Sequence, residues 1–137
     1  MNPLVLDCSL AMAWCFEDEA SPEADTLLER VRDDGAIVPA LWFWEVANVL
    51  TLAARRGRIT SRDVATRLAL LSTLPIRVDE DAVVRAWREA ALLAQRETLT
   101  VYDAAYLGLA ARHGAPLATL DTELRRAALR IGLTVLP

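Results

Sequence analysis

Lysine does not occur in this 137-residue sequence, and all 15 residues counted as lysine or arginine are arginine. Any mechanism that needs a catalytic lysine is therefore excluded, which removes the phospho-accepting receiver domains and the haloacid-dehalogenase type of phosphatase. The sequence also lacks a glycine-rich phosphate loop of the form G-x-x-x-x-G-K, so a nucleotide-binding fold of that class is a poor fit.

Long apolar runs and closely spaced cysteines are missing as well. No apolar stretch approaches the roughly 20 residues that a membrane-spanning helix needs, and Asp7 interrupts the apolar stretch where a signal peptide would lie. Cys8 and Cys15 lie about 10 Å apart along one predicted helix, which is too far for a disulfide bond between them. We therefore expect two buried thiols in a reducing compartment, and a cytoplasmic protein.

Charge and apolar content set limits on the partners. The formal net charge is −4, so the field of the whole molecule does not attract nucleic acid. Apolar residues make up 54% of the chain, which indicates either a well-filled core or an apolar surface kept for a second subunit or another partner. The length predicts a single domain over residues 1–137.

Short apolar runs alternate with helical patterns along the whole chain. The runs predict strands over residues 4–7, 36–39, 76–78, 116–120 and 133–136. The helical patterns predict helices over residues 9–16, 22–34, 40–56, 61–74, 80–97, 101–113 and 122–131. Such alternation is typical of parallel pairing, so we expect an α/β protein: a three-layer α/β/α sandwich with a mainly parallel sheet of four or five strands.

Four acidic residues stand out, although each has an ordinary structural explanation. Asp7 and Asp121 each follow a predicted strand and could cap the helix that comes next. Thr100 and Asp103 have the spacing of a capping box, and an acid in the first turn also suits the helix dipole. Glu45 could belong to the solvent face of its helix, at the boundary with apolar neighbours.

Taken together, the four acids favour a functional explanation. They come from four separate segments, each placed where an α/β sheet brings the carboxyl ends of its strands together. Four carboxylates in one cleft repel one another, and a hard divalent cation with oxygen ligands is the usual remedy. Ser9 and Thr119 each lie two residues from one of these acids and add hydroxyls that can orient a carboxylate or a water molecule.

Four segments that contain these acids resemble the signature segments of the PIN domain, in order and over nearly the whole chain. They are "LVLDCS", "PALWFWEVANVL", "LTVYDAAYLGLA" and "LATLD". The length and the segments "RRGRIT" and "LPIRVD" resemble the VapC branch of that family. The resemblance implies that Asp7, Glu45, Asp103 and Asp121 bind Mg²⁺ or Mn²⁺ and form the catalytic site, with Thr119 as the accompanying hydroxyl.

The resemblance also implies an activity and partners. It implies a PIN-like α/β fold and a metal-dependent endoribonuclease that hydrolyses RNA phosphodiester bonds, which fits the absence of an evident nucleophilic side chain. The VapC branch implies the toxin of a type II toxin–antitoxin pair, a cognate VapB-type antitoxin, and a homodimer. The alternative is a non-catalytic module with the same fold that binds RNA or protein.

Three arginines and one asparagine are candidates for supporting roles. Arg55, Arg56 and Arg58 follow the helix of Glu45, where they could complement the helix dipole or hold RNA phosphates. Asn48 continues a polar stripe beside Glu45, so it joins Ser9 as an auxiliary candidate.

The aromatic residues are expected to be mainly structural. We expect Trp14, Trp42 and Trp44 to lie mostly in the core, with a partner groove as the alternative. Tyr102 and Tyr106 are expected to line the core or the cleft rather than to stack on RNA bases.

Overall fold

Five parallel strands form the sheet in the computed structural model, which describes residues 2–137. The spatial order is β3-β2-β1-β4-β5, and every neighbouring pair is parallel. The strands are β1 (Leu4–Leu6), β2 (Ala36–Pro39), β3 (Ile76–Asp79), β4 (Leu117–Ala118) and β5 (Val135–Leu136). The predicted α/β class and the predominance of parallel pairing are therefore confirmed.

The centre of the sheet is formed by the two most apolar strands. All residues of β1 and β2 are buried, as expected for parallel strands that are covered on both faces. Val5 lies opposite Ile37 on one side and Leu117 on the other, so the N-terminal strand is bounded by segments more than thirty and one hundred residues away. The carboxyl end of β1, where Asp7 follows, consequently lies in the middle of the sheet edge.

Helices connect the strands, and their limits follow the capping residues of the sequence. They are α1 (Cys8–Ala13), α2 (Pro22–Asp34), α3 (Leu41–Arg55), α4 (Ser61–Ser72), α5 (Ala82–Arg85), α6 (Ala91–Glu97), α7 (Val101–His113) and α8 (Thr122–Arg130). Ser21 caps α2 with Pro22 at its first position, and Gly35 ends that helix at a φ of 82° that favours glycine. Thr60 and Asp63 form a capping box at the start of α4.

The helix predicted over residues 80–97 is wrong as a single regular element. A π-helical segment, Ala86–Ala90, separates α5 from α6. Asp79, which directly precedes the predicted helix, ends β3 and accepts a hydrogen bond from Arg112 Nη2 at 2.6 Å. Burial raises the pKa of Asp79, but the hydrogen bond and the charge of Arg112 outweigh it and hold that pKa below its usual value. Asp79 thus pairs with Arg112 through Oδ2, while its Oδ1 atom accepts a hydrogen bond from the Asp81 amide at 3.3 Å.

Burial of the aromatic residues differs from the expectation at one tryptophan. Trp42 is buried, and Trp14 is partly buried with its indole N–H donated to the Ala24 carbonyl oxygen at 2.8 Å. Trp44, which we expected in the core, is 78% exposed, because it lies on the outer side of α3. Trp87 on the π-helical segment is 92% exposed.

The state of the cysteines and the character of the helices complete the description of the fold. Cys8 and Cys15 are both free and buried, as predicted. Among residues 2–137, no helix combines the length and the apolar character required to cross a lipid bilayer.

Candidate metal centre

Asp7 occupies the end of β1 and is held there by two hydroxyl groups. Ser9 Oγ and Thr119 Oγ1 both donate hydrogen bonds to Asp7 Oδ2, each at 2.6 Å. Neither hydroxyl acts on the second oxygen, Oδ1. Asp7 stands at the N-cap position of α1, yet its side chain makes no capping hydrogen bond. The capping explanation for Asp7 is therefore not what the structure shows, and its carboxylate is directed by the two hydroxyls.

The two hydroxyls join the ends of β1 and β4 into one unit. Ser9 Oγ accepts a hydrogen bond from the Leu120 amide at 2.9 Å, and Thr119 Oγ1 accepts one from the Asp121 amide at 3.0 Å. Thr119 is fully buried, so its hydroxyl is fixed in this role. Burial raises the pKa of Asp7; the hydrogen bonds from the two hydroxyls lower it, and the charge of Asp121 raises it further.

Glu45 lies on α3 at the boundary between core and solvent, as its apolar neighbours predict. Its Oε1 atom accepts a hydrogen bond from the hydroxyl of Tyr106, a fully buried side chain of α7. Burial raises the pKa of Glu45, the Tyr106 hydrogen bond opposes this, and the charges of Asp7 and Asp103 raise it. The pKa of Tyr106 is itself strongly raised by burial and by Glu45, so the phenol stays protonated and acts as a donor.

Asp103 is half-buried in the first turn of α7. Its backbone amide, and not its carboxylate, takes part in the N-terminal cap of that helix. Thr100 Oγ1 accepts a hydrogen bond from the Asp103 amide at 3.1 Å. The reciprocal bond of a capping box, from the Thr100 amide to the Asp103 carboxylate, does not form, whereas it does form in α4. Burial, together with the charges of Asp121 and Asp7, raises the pKa of Asp103 to about 6. The neutral threonine thus caps the helix and leaves the carboxylate for other interactions.

Asp121 combines the two explanations that the sequence left open. It is the N-cap of α8, and its Oδ1 atom accepts a hydrogen bond from the Leu124 amide at 2.8 Å. Its charge nevertheless raises the pKa values of both Asp7 and Asp103, so it belongs to the same acidic group. A capping aspartate has a second oxygen, so capping does not exclude a role as a metal ligand.

The four carboxylates therefore form one electrostatically coupled group, which we call the acidic cluster: Asp7, Glu45, Asp103 and Asp121. Within residues 2–137, no arginine or histidine forms an ion pair with any member of it. Oxygen donors with unbalanced negative charge fit Mg²⁺ or Mn²⁺ in kind. The described part of the chain does not, however, arrange three Asp, Glu, His or Cys side chains into a ready-made ligand set. A cation would have to draw the mutually repelling carboxylates together.

The three arginines proposed for supporting roles differ in whether they form ion pairs. Arg58 is already engaged: its Nη2 atom lies 2.7 Å from Asp18 Oδ1 and 2.9 Å from Glu19 Oε2. Its guanidinium also lies 3.8 Å from the centre of the Phe16 ring. Arg55 and Arg56 are exposed at the end of α3. Neither arginine forms an ion pair with any residue that the structure describes.

Asn48 is not brought into the hydrogen-bond network of the acidic cluster. It lies exposed on α3, about one turn after Glu45, and its side chain makes no hydrogen bond to any residue in the range 2–137. An auxiliary role for Asn48 therefore stays a prediction.

The hydrogen bond of Tyr106 to Glu45 is not among the contacts that the sequence predicts. The sequence predicts only that Tyr106 lines the core or the cleft. Its position three residues after Asp103 places both on the same face of α7, and that spacing could have indicated a second group directed at the cluster. The partner residue, 61 positions away in the chain, could not be read from local spacing.

Comparison with known proteins adds three findings. The PIN domain family model matches residues 4–129. The chain is 31% identical over 121 residues to Ribonuclease VapC3 of Pyrobaculum aerophilum, covering 88% of this chain and 91% of the relative. Its fold resembles the crystal structure of PAE2754 from Pyrobaculum aerophilum with a TM-score of 0.67 and 24% identity, covering 98% of this chain and 90% of that one.

The family match spans well over half of the chain, and it includes all four residues of the acidic cluster. The sequence relative is matched over nearly its full length, so the similarity is not confined to one motif. The structural similarity supports the fold alone. The chain therefore belongs to the PIN domain family, in its VapC branch.

Proposed function

We propose that this protein is a divalent-metal-dependent endoribonuclease and the toxin of a type II toxin–antitoxin pair. The observation that supports this best is the acidic cluster: four carboxylates from four segments at one edge of the sheet, with no basic partner among the described residues. Relatedness to a protein named Ribonuclease VapC3 supports the choice of RNA as substrate.

The hydroxyls beside Asp7 are not the nucleophile in this proposal. Ser9 and Thr119 each donate to Asp7 and accept from a backbone amide, which gives both hydroxyls a positioning role, and Thr119 is fully buried, out of reach of RNA. Cys8 is excluded too, because burial, with the nearby charges of Glu45 and Asp7, raises its thiol pKa to about 12. In this proposal the attacking group is water.

The acidic cluster would hold Mg²⁺ or Mn²⁺ through Asp7, Glu45, Asp103 and Asp121. When bound there, the cation would supply charge neutralisation on the phosphodiester and would lower the pKa of a bound water molecule. The chain's own contribution is positioning: the hydroxyls fix one oxygen of Asp7, and the Leu124 amide fixes one oxygen of Asp121. Each carboxylate retains a second oxygen that those donors do not use.

RNA must approach a molecule of net charge −4, so local positive charge is required. We propose that Arg55 and Arg56 contact RNA phosphates, because both are exposed at the end of the helix that bears Glu45. Arg58 is expected to contribute less, since its guanidinium is held by Asp18 and Glu19. This narrows the RNA-binding hypothesis from three arginines to two.

A VapB-type antitoxin and a second copy of this chain are the proposed protein partners. Large apolar side chains lie exposed along residues 83–92, and an isolated soluble protein rarely keeps so many together: Val83, Val84, Trp87 and Leu92. We propose that a second copy covers this face, as the family resemblance implies. The Trp87→Arg variant described in the Discussion tests this, and its competing outcome is that an antitoxin covers the same face.

Cleavage of RNA by purified Asp7→Asn and Asp103→Asn variants tests the proposed activity. We expect wild-type protein to cut RNA only with Mg²⁺ or Mn²⁺, and both variants to lose at least about a hundredfold of the rate. Asp33→Asn is the matched control, because Asp33 is exposed at the end of α2. RNA binding without any metal-dependent cleavage by wild-type protein would contradict the proposal and favour the non-catalytic module.

A further inference from the structure

Tyr106 is buried in the core, but its hydroxyl lies at the acidic cluster. The side chain is fully inaccessible to solvent, and its single polar atom donates to Glu45 Oε1. A buried hydroxyl needs a partner, and here the partner is the one member of the cluster that comes from the middle of a helix. The tyrosine therefore serves both the packing of α7 and the placement of a carboxylate on α3.

The carboxylate of Glu45 has more conformational freedom than those of the three aspartates. The glutamate side chain has one more rotatable bond than the aspartate side chain, so its carboxylate can adopt more positions and needs a partner to fix it. Asp7 is held by two hydroxyls, and Asp121 is held by a backbone amide. The Tyr106 hydroxyl is the only side-chain donor to Glu45 in the described residues 2–137.

We propose that Tyr106 is a positioning residue for Glu45: its hydroxyl holds Oε1 so that Oε2 stays available to a divalent cation. A neutral donor suits this task, because an arginine in its place would supply positive charge and compete with the cation. The inference rests on the proposed function, since it requires the acidic cluster to bind metal.

Calorimetric titration of the purified protein with Mn²⁺ tests the role of Tyr106 without relying on activity. Tyr106→Phe removes the hydroxyl and keeps the ring, so we expect a folded protein whose Mn²⁺ affinity falls by about tenfold or more. Tyr102→Phe is the matched control, because Tyr102 lies on the same helix and is 65% exposed. The control should bind Mn²⁺ as wild-type protein does.

A second background separates positioning from a general effect on the core. In a Glu45→Ala protein there is no carboxylate to position, so Tyr106→Phe should cause no further loss of Mn²⁺ affinity. An equal loss in both backgrounds, or an unchanged affinity of Tyr106→Phe in the wild-type background, would overturn the proposal.

A third variant applies if Tyr106→Phe does not fold. Glu45→Asp keeps the charge but is one methylene shorter, so we expect its carboxylate to lose the hydrogen bond from the Tyr106 hydroxyl and the Mn²⁺ affinity to fall to a similar extent. Wild-type affinity of Glu45→Asp would refute the inference. Failure of wild-type protein itself to bind Mn²⁺ would instead overturn the proposed metal centre, and this inference with it.

Discussion

Replacement of Asp103 by asparagine should stabilise the metal-free protein while removing its function. The pKa of Asp103 is raised from 3.8 to about 6, by burial and then by the charges of Asp121 and Asp7. The folded state therefore disfavours the charged carboxylate, and asparagine removes that charge while the Thr100 cap on its amide is retained.

The magnitude follows from the shift in pKa. Each pKa unit corresponds to about 1.4 kcal/mol, so the shift sets an upper limit of about 3 kcal/mol. Asp103 is only half-buried, and screening by solvent reduces this to about 1–2 kcal/mol. For a chain of this size we expect the melting temperature of the variant to rise by about 4–8 °C near neutral pH in EDTA.

The pH dependence gives the sharper test. Below the pKa of the unfolded state, both states are protonated and the charge penalty is absent. As the pH rises from about 4 to about 6, the unfolded state loses its proton first, so the wild-type protein loses stability that the variant keeps. Urea denaturation in EDTA should therefore show a stability difference at about pH 7.5 that shrinks towards about pH 3.5.

Metal should stabilise the wild-type protein much more than the Asp103→Asn variant. Mg²⁺ at about a hundred times its dissociation constant stabilises a binding protein by about 2.7 kcal/mol, so wild-type protein should gain stability and Asp103→Asn should gain little. A variant that is less stable than wild-type protein at neutral pH in EDTA, or a difference that does not change with pH, would refute the argument from charge repulsion.

Three further predictions concern activity, RNA and assembly. Glu45→Gln should lower the rate of RNA cleavage by at least about tenfold, because it weakens a proposed metal ligand. The control variant Glu17→Gln, at an exposed position, should cleave RNA at the wild-type rate. Equal rates of the two variants in a gel-based assay would show that Glu45 is an ordinary residue of the solvent-facing side of its helix. Joint replacement of Arg55 and Arg56 by glutamine, in a cleavage-dead background, should weaken RNA binding and reduce the slope of log affinity against log salt by about 1–2, because fewer counterions are released; an unchanged slope across a salt series would place the RNA surface elsewhere. Trp87→Arg should convert a dimer to a monomer in analytical ultracentrifugation, because Trp87 is 92% exposed on the apolar face; an unchanged dimer that no longer binds the antitoxin would assign that face to the antitoxin instead.

The positions of the strands and of three acids could be predicted from local sequence. Asp7 and Asp121 follow apolar runs, and parallel strands place their carboxyl ends at one edge, so their proximity follows from the fold class. Asp103 is indicated as a candidate site residue because it is an acid that interrupts an apolar helical pattern. These features depend on periodicity and on capping, which act over a few residues.

Interactions between distant segments could not be predicted in the same way. Asp79 has the spacing of a helix cap, but Arg112 on another helix takes its carboxylate. Arg58 resembled a free helix-end arginine, yet acids forty positions earlier in the chain hold it. The π-helical segment has no glycine or proline to indicate it. In each instance the deciding partner is supplied by the tertiary fold.

The hydrogen bond between Thr119 and Asp7 spans 112 positions, and this distance has a consequence for synthesis of the protein on the ribosome. The N-terminal strand emerges first, but its acid meets the second of its two hydroxyl donors, Thr119, only after most of these residues have been made. Asp121 also lies beyond β4. A nascent chain that stops before β4 contains Asp7, Glu45 and Asp103, but it lacks the Thr119 hydroxyl and the fourth acid. Under the proposed function, a ribosome making this nuclease would not be exposed to its activity until the chain is nearly complete.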